Sequence, residues 1–481
     1  MIEFILNNRT IKTNSNNSMT LVDFIRENRN LKGTKIVCRE GDCGACTVMV
    51  GKLLNDNRSI KYQTITSCVS PLANVHGRHV VTVEGLNIES KLNKVQQSLK
   101  DNHASQCGFC TPGFVVAMAS YCLNDDKQTQ QQMLDAISGN ICRCTGYVAI
   151  INAAKKLVEI SRHKGQKYTL KQLIKYGFIP EYFTNIGEKL KKIQSKHQPS
   201  GKKIIAGGTD LYVQQADSLL QTPDLRFITL EQSQPVSIEK DICSISGQAT
   251  VTDLLENKEL NQRIPNLQGY LRLLSSEAIR NMATVAGNFV NASPIGDMST
   301  FFLALDAILL IVDHDKSRQV MLKDFFLDYK KVDLKKGESI AKLWFKLPTK
   351  DSQFNFDKVS KRKHLDIATV NTAIHIEVKN DIIINCNISV GGVAAIPKYL
   401  NETCEYLIGK TINKDTLKQA IEIINTEILP ISDVRGTAKY KQLLANQLVK
   451  GHFIKLFPKL IQFERGNYSH QSFLRRQESR G

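Results

Sequence analysis

Cysteine is the residue type whose spacing in this sequence points most directly to chemistry. Eight of the twelve cysteines fall into two spaced sets before residue 145. Because the thiolate form of cysteine is a strong metal ligand, clustered cysteines in a reducing compartment indicate metal centres rather than disulfides. The first set is Cys38, Cys43, Cys46 and Cys68, and the second is Cys107, Cys110, Cys142 and Cys144. The isolated Cys122, Cys243, Cys386 and Cys404 are predicted to be buried structural thiols.

The first set has the spacing C-x4-C-x2-C followed by a distant fourth cysteine. This spacing is typical of plant-type [2Fe–2S] proteins. Gly41 and Gly44 lie between the ligands, where a loop wrapped around a cluster needs positive φ angles and close backbone approach. A structural zinc site is the alternative, but zinc ribbons usually use two separate C-x2-C knuckles and this set contains one.

The second set begins with C-x2-C at the predicted start of a helix, which Thr111 and Pro112 mark. A second helix is predicted over about 130–138, and Cys142 and Cys144 precede a third over 148–161. Unpaired amides and the positive end of the helix dipole favour thiolates at helix N-termini. C-x2-C alone is compatible with redox disulfide chemistry or with zinc, whereas this longer pattern between helices is rarer.

The elements that position the first set are predicted from local signals. Strands over 2–6 and 10–13 form a hairpin with Asn7 and Asn8 in its turn. Thr20 caps a helix over 21–28. Cys68 follows another pair of strands, so we expect a small sheet to carry the first cysteine loop.

The bulk composition indicates a globular chain of about three or four domains. It has 481 residues, of which 42% are apolar and 23% charged. The longest apolar stretch, 301–312, is short and contains Asp306, so a buried helix or strand is expected there and no membrane span. The first residues read as a strand rather than a signal peptide, and we therefore expect a cytoplasmic protein.

The net charge of +18 raises the question of nucleic acid or an acidic membrane surface as partner. The lysines are scattered, and no RNA-binding aromatic motif, zinc finger or basic amphipathic helix stands out. An acidic protein partner or a basic compositional background is the preferred interpretation, and no nucleic-acid binding is expected.

A glycine turn follows a short strand in the second half of the chain. The segment is Ile204-Ile205-Ala206-Gly207-Gly208-Thr209-Asp210-Leu211. Such a turn exposes several amides to one anion and can cradle a pyrophosphate, although an ordinary tight turn explains it equally well. A second segment, over 278–297, is rich in small and amide residues and ends in a carboxylate, and a third segment runs over 357–371.

The cysteine phrases resemble those of the xanthine dehydrogenase and aldehyde oxidase family of molybdenum hydroxylases. They are Cys-Arg-Glu-Gly-Asp-Cys-Gly-Ala-Cys at 38–46, Gln-Cys-Gly-Phe-Cys-Thr-Pro-Gly at 106–113 and Asn-Ile-Cys-Arg-Cys-Thr-Gly-Tyr at 140–147. The resemblance implies that each set of four cysteines binds one [2Fe–2S] cluster. It also implies that Gln106 faces a molybdenum cofactor across a subunit contact.

The three later segments resemble the FAD-binding domain of the same family, in matching order. The resemblance implies that Gly207, Gly208, Thr209 and Asp210 line the flavin phosphates. It adds to the FAD site Ile204, Ile205, Ala206, Leu211, Thr284, Gly287, Asn288, Asp297, Leu343 and Lys358. Two departures are Ala286-Gly287, where the family often has two glycines, and Trp344 in a strand that usually carries smaller side chains. Without the resemblance, Lys358 reads as a solvated lysine and Trp344 as a core residue.

The fold implied is a multidomain α+β protein. It comprises a β-grasp ferredoxin-like domain over 1–86, a helical-bundle [2Fe–2S] domain over 87–163, a linker over 164–198, an α+β FAD-binding domain of the vanillyl-alcohol-oxidase type over 199–350, an α+β C-terminal flavoprotein domain like that of CO dehydrogenase over 351–463, and a disordered tail over 464–481. In the C-terminal domain, strands are predicted over 382–384 and 388–390, and helices over 415–428 and 437–448.

The chain organisation resembles the small subunit of bacterial members of the family and implies an electron-transfer role. Electrons would come from a molybdenum cofactor on a large partner subunit, within a heterotetramer, and pass through both clusters and FAD to NAD during oxidation of hypoxanthine and xanthine to urate. No catalytic residue is predicted on this chain apart from the cofactors. The alternatives are a molybdenum hydroxylase acting on aldehydes or N-heterocycles, and a non-catalytic, zinc-stabilised interaction protein.

Overall fold

The computed structural model describes residues 1–54, 56, 59–89, 91–124, 129–163, 166–193, 201–228, 234–314, 316–362 and 365–461. The chain divides into two units. The first comprises Met1–Ser293, Ala307–Leu347 and Ser360–Ile367, and the second comprises Pro294–Asp306, Pro348–Val359 and Ala368–Gly481. The predicted tail over 464–481 lies outside the described residues, as do both ends of the predicted linker.

The N-terminal region is a mixed five-stranded sheet with the hairpin that the sequence predicts. The strands, in order across the sheet, are Arg9–Thr13, Ile2–Leu6, His79–Val81, Thr47–Leu53 and Ile60–Thr66. Asn7 turns the hairpin with a φ of 53°. Thr20 caps one α-helical turn, Leu21–Asp23, which continues as a π-helix, Phe24–Asn28. Short 3-10 helices follow at Ser67–Val69, Leu72–Val75 and Val83–Leu86.

Four helices form the next region, and their bounds agree with the sequence patterns to within about one residue where a helix was predicted. They are Lys94–Asp101, Thr111–Leu123, Gln130–Ile137 and Val148–Ile160. Asn93 begins the first of them with a reciprocal capping box to Gln96. The helix Thr111–Leu123 is buried from Gly113 to Cys122, because it runs through the middle of the apolar core that the other helices cover.

The described part of the predicted linker has structure of its own. Short strands pair Arg162–His163 with Gln166–Lys167, and the helices Leu170–Lys175, Glu181–Asn185 (3-10) and Ile186–Lys191 follow. Phe178 and Phe183 are almost fully buried and join the core of the helical region. Because this segment is rich in lysine, the helical spacing of its apolar residues was not recognised in the sequence. Residues 166–193 therefore differ from the expected linker.

The remaining part of the first unit contains the glycine turn. Strands Lys203–Ile205 and Leu225–Phe227 pair in parallel beside it. A five-stranded sheet has the order Val236–Glu239, Ile242–Ser246, Ser339–Lys346, Ile308–Asp313 and Lys316–Met321, and a small ribbon pairs Phe326–Asp328 with Lys331–Val332. The helices are Leu211–Gln221, Val251–Glu256, Lys258–Arg263, Leu267–Arg272, Glu277–Arg280, Val285–Asn291 and Leu322–Phe325.

The second unit packs helices on a four-stranded antiparallel sheet. The strands are Ser352–Val359, Val370–Lys379, Ile382–Gly391 and Lys398–Tyr399, and the helices are Asp297–Ala304, Asn401–Leu407, Lys414–Glu427 and Ala438–Leu456. One long strand with a bulge replaces the two short strands predicted over 382–390. The last helix extends eight residues beyond the predicted end at 448, because buried Val449, His452 and Phe453 continue its packed face. Among the described helices, none has the length and apolar character needed to cross a bilayer.

Candidate metal and cofactor sites

The first cysteine set lies on the loop between the N-terminal helix and the strand Thr47–Leu53, with Cys68 on the turn Ser67–Val69. Gly41 and Gly44 have φ angles of 73° and 68°, as the wrapped loop predicted from the sequence requires. The amide of Glu40 donates to the sulfur of Cys38 at 3.4 Å. Backbone amides directed at sulfur stabilise thiolates and, in cluster proteins, raise the reduction potential.

The four thiols of the first set contact one another. Hydrogen bonds from Cys43 and Cys68 lower the pKa of Cys38, and a hydrogen bond from Cys68 lowers the pKa of Cys46. The pKa values of the donors Cys43 and Cys68 are raised in turn, chiefly by donating to the thiol of Cys38. The set is therefore arranged as the pairs Cys38–Cys43 and Cys46–Cys68, joined by a contact between Cys38 and Cys68.

The second set also forms two pairs. The sulfur atoms of Cys144 and Cys107 are 3.5 Å apart, and the Cys107 thiol has a lowered pKa, first because the Phe109 amide donates to it. Cys110 precedes the first turn of its helix, and burial together with a hydrogen bond to Cys142 raises its pKa to about 12. All eight predicted ligands thus meet a second thiol of their own set.

Paired thiols suit a two-iron cluster. Each iron of a [2Fe–2S] cluster takes two thiolates in addition to the bridging sulfides, so four cysteines must be offered as two pairs around a small rhomb. A zinc ion instead needs four donors converging on one point. The donor sets therefore fit two [2Fe–2S] clusters.

The two sets differ in their exposure. Cys46 and Cys68 are buried, and Cys38 and Cys43 are half-buried. In the second set, Cys107 and Cys144 are exposed, Cys110 is half-buried and Cys142 is buried. Exposed apolar side chains follow the exposed ligands in the chain, with Phe109 46% and Val148 67% exposed. Gln106 is also exposed. The remaining four cysteines are buried, which confirms their predicted position in the core.

A cleft of about 490 Å³ lies beside the second set. Gly108, Thr111 and Pro112, around the ligand Cys110, line this cleft. Gln96 and Lys100 from the preceding helix line it as well, with His103 just after that helix. The cleft therefore combines a cationic side chain and polar groups with the surface next to Cys107.

The glycine turn of the first unit has the backbone geometry of an anion cradle. Gly208 has a φ of 82°, and a Cβ atom on Gly207 would overlap the carbonyl oxygen of Met282. The helix Leu211–Gln221 begins directly after the turn, with Asp210 at its N-cap and no side-chain cap. The Tyr212 amide donates to the carbonyl of Gly208 at 3.0 Å, so an anion at this N-terminus would meet the amides of the turn and of the first helical residue. The predicted residues Ile204, Ile205, Ala206 and Thr209 lie on the strand and turn that lead to this N-terminus.

The segment around Thr284 lies beside the same turn, because Met282 contacts Gly207. Thr284 caps the helix Val285–Asn291 by accepting a hydrogen bond from the Gly287 amide at 3.1 Å. The side-chain oxygen of Asn288 is buried and has no partner among the described residues. An orphaned acceptor of this kind is satisfied by a ligand or by water. The residues of both segments therefore fit a phosphate-bearing cofactor such as FAD.

Lys330 and Asn291 lie near the predicted phosphate turn and were not predicted. The Lys330 ammonium donates to the carbonyl and side-chain oxygens of Asn291 at 2.7 and 2.9 Å. Burial raises the pKa of Asp210, and the positive charge of Lys330 opposes that shift. Lys330 adds a cation near the turn, which no local motif in the sequence signals.

Leu343 is fully buried in the strand Ser339–Lys346, between Ile245 and Leu309 on the neighbouring strands. Its predicted contact with FAD stays a prediction. Trp344, the next residue, is half-buried and not part of the core.

Asp297 and Lys358 lie in the second unit and contact each other. The Lys358 side chain is only 3% exposed, and its ammonium donates to one carboxylate oxygen of Asp297 at 2.7 Å. The side chain of Asn371 donates to the other at 2.6 Å and accepts from Thr300 at 2.9 Å. Asp297 is thus held by two donors on different strands. Asn371 was quoted in the third sequence segment, but nothing local to it predicts a contact 74 residues away.

Family models match four successive segments of the chain. A 2Fe-2S iron-sulfur cluster binding domain matches residues 4–73, and a [2Fe-2S] binding domain matches 82–155. The FAD binding domain in molybdopterin dehydrogenase matches 184–349, and the CO dehydrogenase flavoprotein C-terminal domain matches 356–456. The third match begins inside the segment predicted as a linker. The multidomain α+β fold predicted from the sequence is confirmed.

Curated relatives share the whole series of domains at low identity. A xanthine dehydrogenase from Oryza sativa subsp. japonica is 29% identical over 87% of this chain and 37% of its own length. Xanthine dehydrogenase 1 of Arabidopsis thaliana is 26% identical over 87% of this chain and 37% of its own length. Aldehyde oxidase 2 of Rattus norvegicus is 27% identical over 96% and 39%. The chain therefore spans less than two fifths of the length of these relatives.

Two solved structures are similar to about half of this chain. A carbon monoxide dehydrogenase chain from Hydrogenophaga pseudoflava has a TM-score of 0.48 and 22% identity, covering 52% of this chain and 87% of that one. A chain of quinoline 2-oxidoreductase from Pseudomonas putida 86 has a TM-score of 0.47 and 24% identity, covering 53% and 88%.

Proposed function

We propose, from the premise that this chain belongs to the molybdenum hydroxylase family, that it is the electron-transfer subunit of a xanthine dehydrogenase. Electrons would come from a molybdenum cofactor on a large partner subunit and leave to NAD. When bound, the two clusters would each carry one electron at a time, and FAD would collect two and deliver a hydride. The contribution of this chain is to hold and order these groups.

The observation that carries the proposal is the order of the three sites within the first unit. The second cysteine set is at the surface, where Cys107 and Cys144 are exposed. Exposed apolar side chains on a soluble protein commonly mark a surface that a partner covers. Phe109, Tyr147 and Val148 are such side chains next to the ligands. We place the molybdenum subunit on this surface.

The first cysteine set lies on the side of the glycine turn. Cys46 and Cys68 belong to the same apolar core as Ile205 and Met282, which flank the phosphate turn. A Cβ atom on Gly41 would overlap the side chain of Ile279. This buried contact between the first cysteine set and the glycine turn excludes water. It also keeps short the distance that an electron would travel from one to the other.

Polar contacts hold the same two regions together. The side chain of Asn74 donates to the carbonyl of Ala206 at 2.9 Å. That of Asn281 donates to the carbonyl of Thr64, also at 2.9 Å. Tyr212, on the helix after the glycine turn, donates to the carbonyl of Ser18 at 2.8 Å. The order of the sites is therefore the second cysteine set, the first cysteine set and then the glycine turn. A relay from a partner to FAD needs this order.

The finer parts of the proposal follow from the relatives and from the resemblance. The relatives that match along most of this chain are named xanthine dehydrogenase and aldehyde oxidase. We propose hypoxanthine and xanthine as substrates, urate as product, a heterotetramer with the molybdenum subunit, and a cytoplasmic location. A relay subunit for an aldehyde or N-heterocycle hydroxylase is the second candidate, which the aldehyde oxidase relatives favour.

The absorption spectrum of the purified chain tests the relay. Flavin bands with iron–sulfur charge-transfer absorption and about four irons per chain are expected. A colourless protein containing only zinc would overturn the proposal in favour of a zinc-stabilised interaction protein. The substrate is tested by purifying the chain with its partner and assaying hypoxanthine, aldehydes and N-heterocycles with either NAD or oxygen as acceptor. Activity with an aldehyde and none with hypoxanthine would favour the second candidate.

A further inference from the structure

A backbone hydrogen bond joins the two cysteine sets directly. The carbonyl oxygen of Cys43 accepts from the amide of Ile141 at 2.9 Å. Ile141 precedes Cys142 in the chain, so one predicted ligand of each set is separated by this hydrogen bond and a few covalent bonds. The two loops are almost a hundred residues apart in sequence, and something must keep them in register.

Asn140 occupies the space between the two loops. Its side-chain amide donates to the carbonyl oxygen of Gly44 at 2.9 Å and approaches the hydroxyl of Thr47 at 3.3 Å. The Thr47 hydroxyl donates to the same Gly44 carbonyl at 2.7 Å. Asn140 and Thr47 are 5% and 4% exposed. Loss of a partner in such a buried arrangement leaves a polar group without compensation from water.

Glycines allow the backbones to approach closely enough for these contacts. A Cβ atom on Gly44 would overlap the carbonyl oxygen of Gly139, and a Cβ atom on Gly113 would overlap the carbonyl oxygen of Gly44. Gly113 lies in the first turn of the helix that follows Cys110. Elements from both sides of the second set therefore converge on one peptide group of the first set, and Asn140 is the residue beside the second set whose side chain donates to it.

We propose that Asn140 is a positioning residue that holds the loop of the first cysteine set against the turn that carries Cys142. It keeps the hydrogen bond between Cys43 and Ile141 closed. The inference rests on the proposed function in one respect, that the two sets bind clusters whose separation and orientation Asn140 then determines. Asn140 contacts no predicted ligand atom and acts only through the peptide groups of Gly44 and its neighbours.

The test compares Asn140→Ala and Asn140→Asp with the control Asn93→Ala. Asn93 is a buried asparagine of the helical region, and its amide donates to a backbone carbonyl at the same 2.9 Å, but it contacts neither cysteine loop. Without Asn140, amide hydrogen exchange at Ile141 should accelerate by about tenfold. Magnetic interaction between the two reduced centres, read from electron paramagnetic resonance spectra, should weaken while the iron content stays unchanged. Asn93→Ala should change neither measurement.

Each other outcome has a defined meaning. Unchanged exchange at Ile141 and unchanged magnetic interaction in Asn140→Ala overturn the positioning role. Loss of iron and of one resonance signal also overturns it, because Asn140 would then serve to fold a ligand loop. If the Asn140 variants fail to fold, Thr47→Val, which keeps the side-chain shape and removes the hydroxyl, must show the same two effects. Wild-type protein without iron would overturn the proposed function, whereas the exchange measurement at Ile141 would still decide the role of Asn140.

Discussion

The two cysteine sets have the same number of ligands, yet the protein places them in opposite environments. Most of the first set lies on a glycine-containing loop, and its Cys46 and Cys68 are buried. An apolar core connects this set to the glycine turn. The second set stands before helix N-termini, with Cys107 and Cys144 exposed beside a cleft and exposed apolar side chains. A relay needs this asymmetry, because one centre must meet a partner and the other must meet a cofactor inside the chain.

Replacing a predicted ligand of the first cysteine set should have the largest effect of the changes predicted below. Cys43→Ser should abolish one of the two resonance signals of the reduced protein, because a hydroxyl is a much poorer iron ligand than a thiolate. FAD content and the other signal should remain, and electrons entering at the second set should no longer reach the flavin. The control is Cys122→Ser, which changes a buried cysteine outside both sets. Loss of both signals together with FAD would show that the first set is needed for folding.

The two cysteine sets should differ in the rate at which oxidation in air destroys their clusters. The exposed ligands Cys107 and Cys144 should lose their cluster roughly tenfold faster than the buried first set, because cysteine oxidation follows thiolate character and exposure. The decay of each resonance signal measures this, with the signals assigned from the Cys43→Ser variant. Bound partner subunit should protect the second set and leave the first unaffected. Equal decay of both signals would contradict the proposed asymmetry.

Removal of the carboxylate at Asp297 should lower FAD content and spare both clusters. Asp297→Ala leaves the buried Lys358 ammonium without its acidic partner, and we expect roughly tenfold weaker FAD binding. Flavin absorbance relative to protein and iron measures the change. Asp433→Ala is the matched control, since it removes the acidic partner of another buried lysine of the same unit, Lys441, also 3% exposed. Stoichiometric FAD in Asp297→Ala would place the cofactor contacts elsewhere.

The smallest expected effect concerns Glu277, at the contact between the helical region and the region that contains the glycine turn. Burial raises the pKa of Glu277 to about 7, from its ordinary value of 4.5. The folded protein therefore binds a proton that the unfolded chain has released between these values, and its stability falls as pH rises through this range. Glu277→Gln should remove this decline, on the order of 2 kcal/mol in unfolding free energy.

Denaturant unfolding at pH 5 and pH 8 measures the effect of Glu277→Gln. Glu405→Gln, at an exposed position of the second unit, is the control and should keep the wild-type pH dependence. A variant at position 277 whose unfolding free energy still declines between the two pH values would show that Glu277 is not the group responsible.

Much of the local structure could be predicted from the sequence, because its signals are short. Thr20 and the Thr111-Pro112 pair mark helix starts, and the hairpin at Asn7 follows from alternating strands around a turn. The predictions were less accurate where packing decided the outcome. The apolar stretch over 301–312, expected as a buried helix or strand, contains both: a helix ends at Ala304 and a strand begins at Ile308, since Asp306 adopts a φ of 50° between them.

The contacts that matter most for the sites join residues distant in sequence. Asn140 contacts Gly44 across 96 positions, and Asn371 contacts Asp297 across 74. Gly139 and Asn140 follow shortly after the helix Gln130–Ile137, but nothing local in the sequence indicates what the asparagine binds. Residues 166–193 likewise read as a polar linker, because the burial of Phe178 and Phe183 depends on the helices they pack against.

The sequence by itself predicted which residues are the cluster ligands, since cluster chemistry demands thiolates at set spacings and glycines between them. It also determined the helices and turns that present those thiolates, because caps, prolines and glycines act within a few residues. Only the tertiary structure decided which cysteine set faces solvent and which lies next to the glycine turn. It also decided how Asn140 joins the two sets. The physical reason is that burial and long-range hydrogen bonds depend on neighbours that the local sequence does not name.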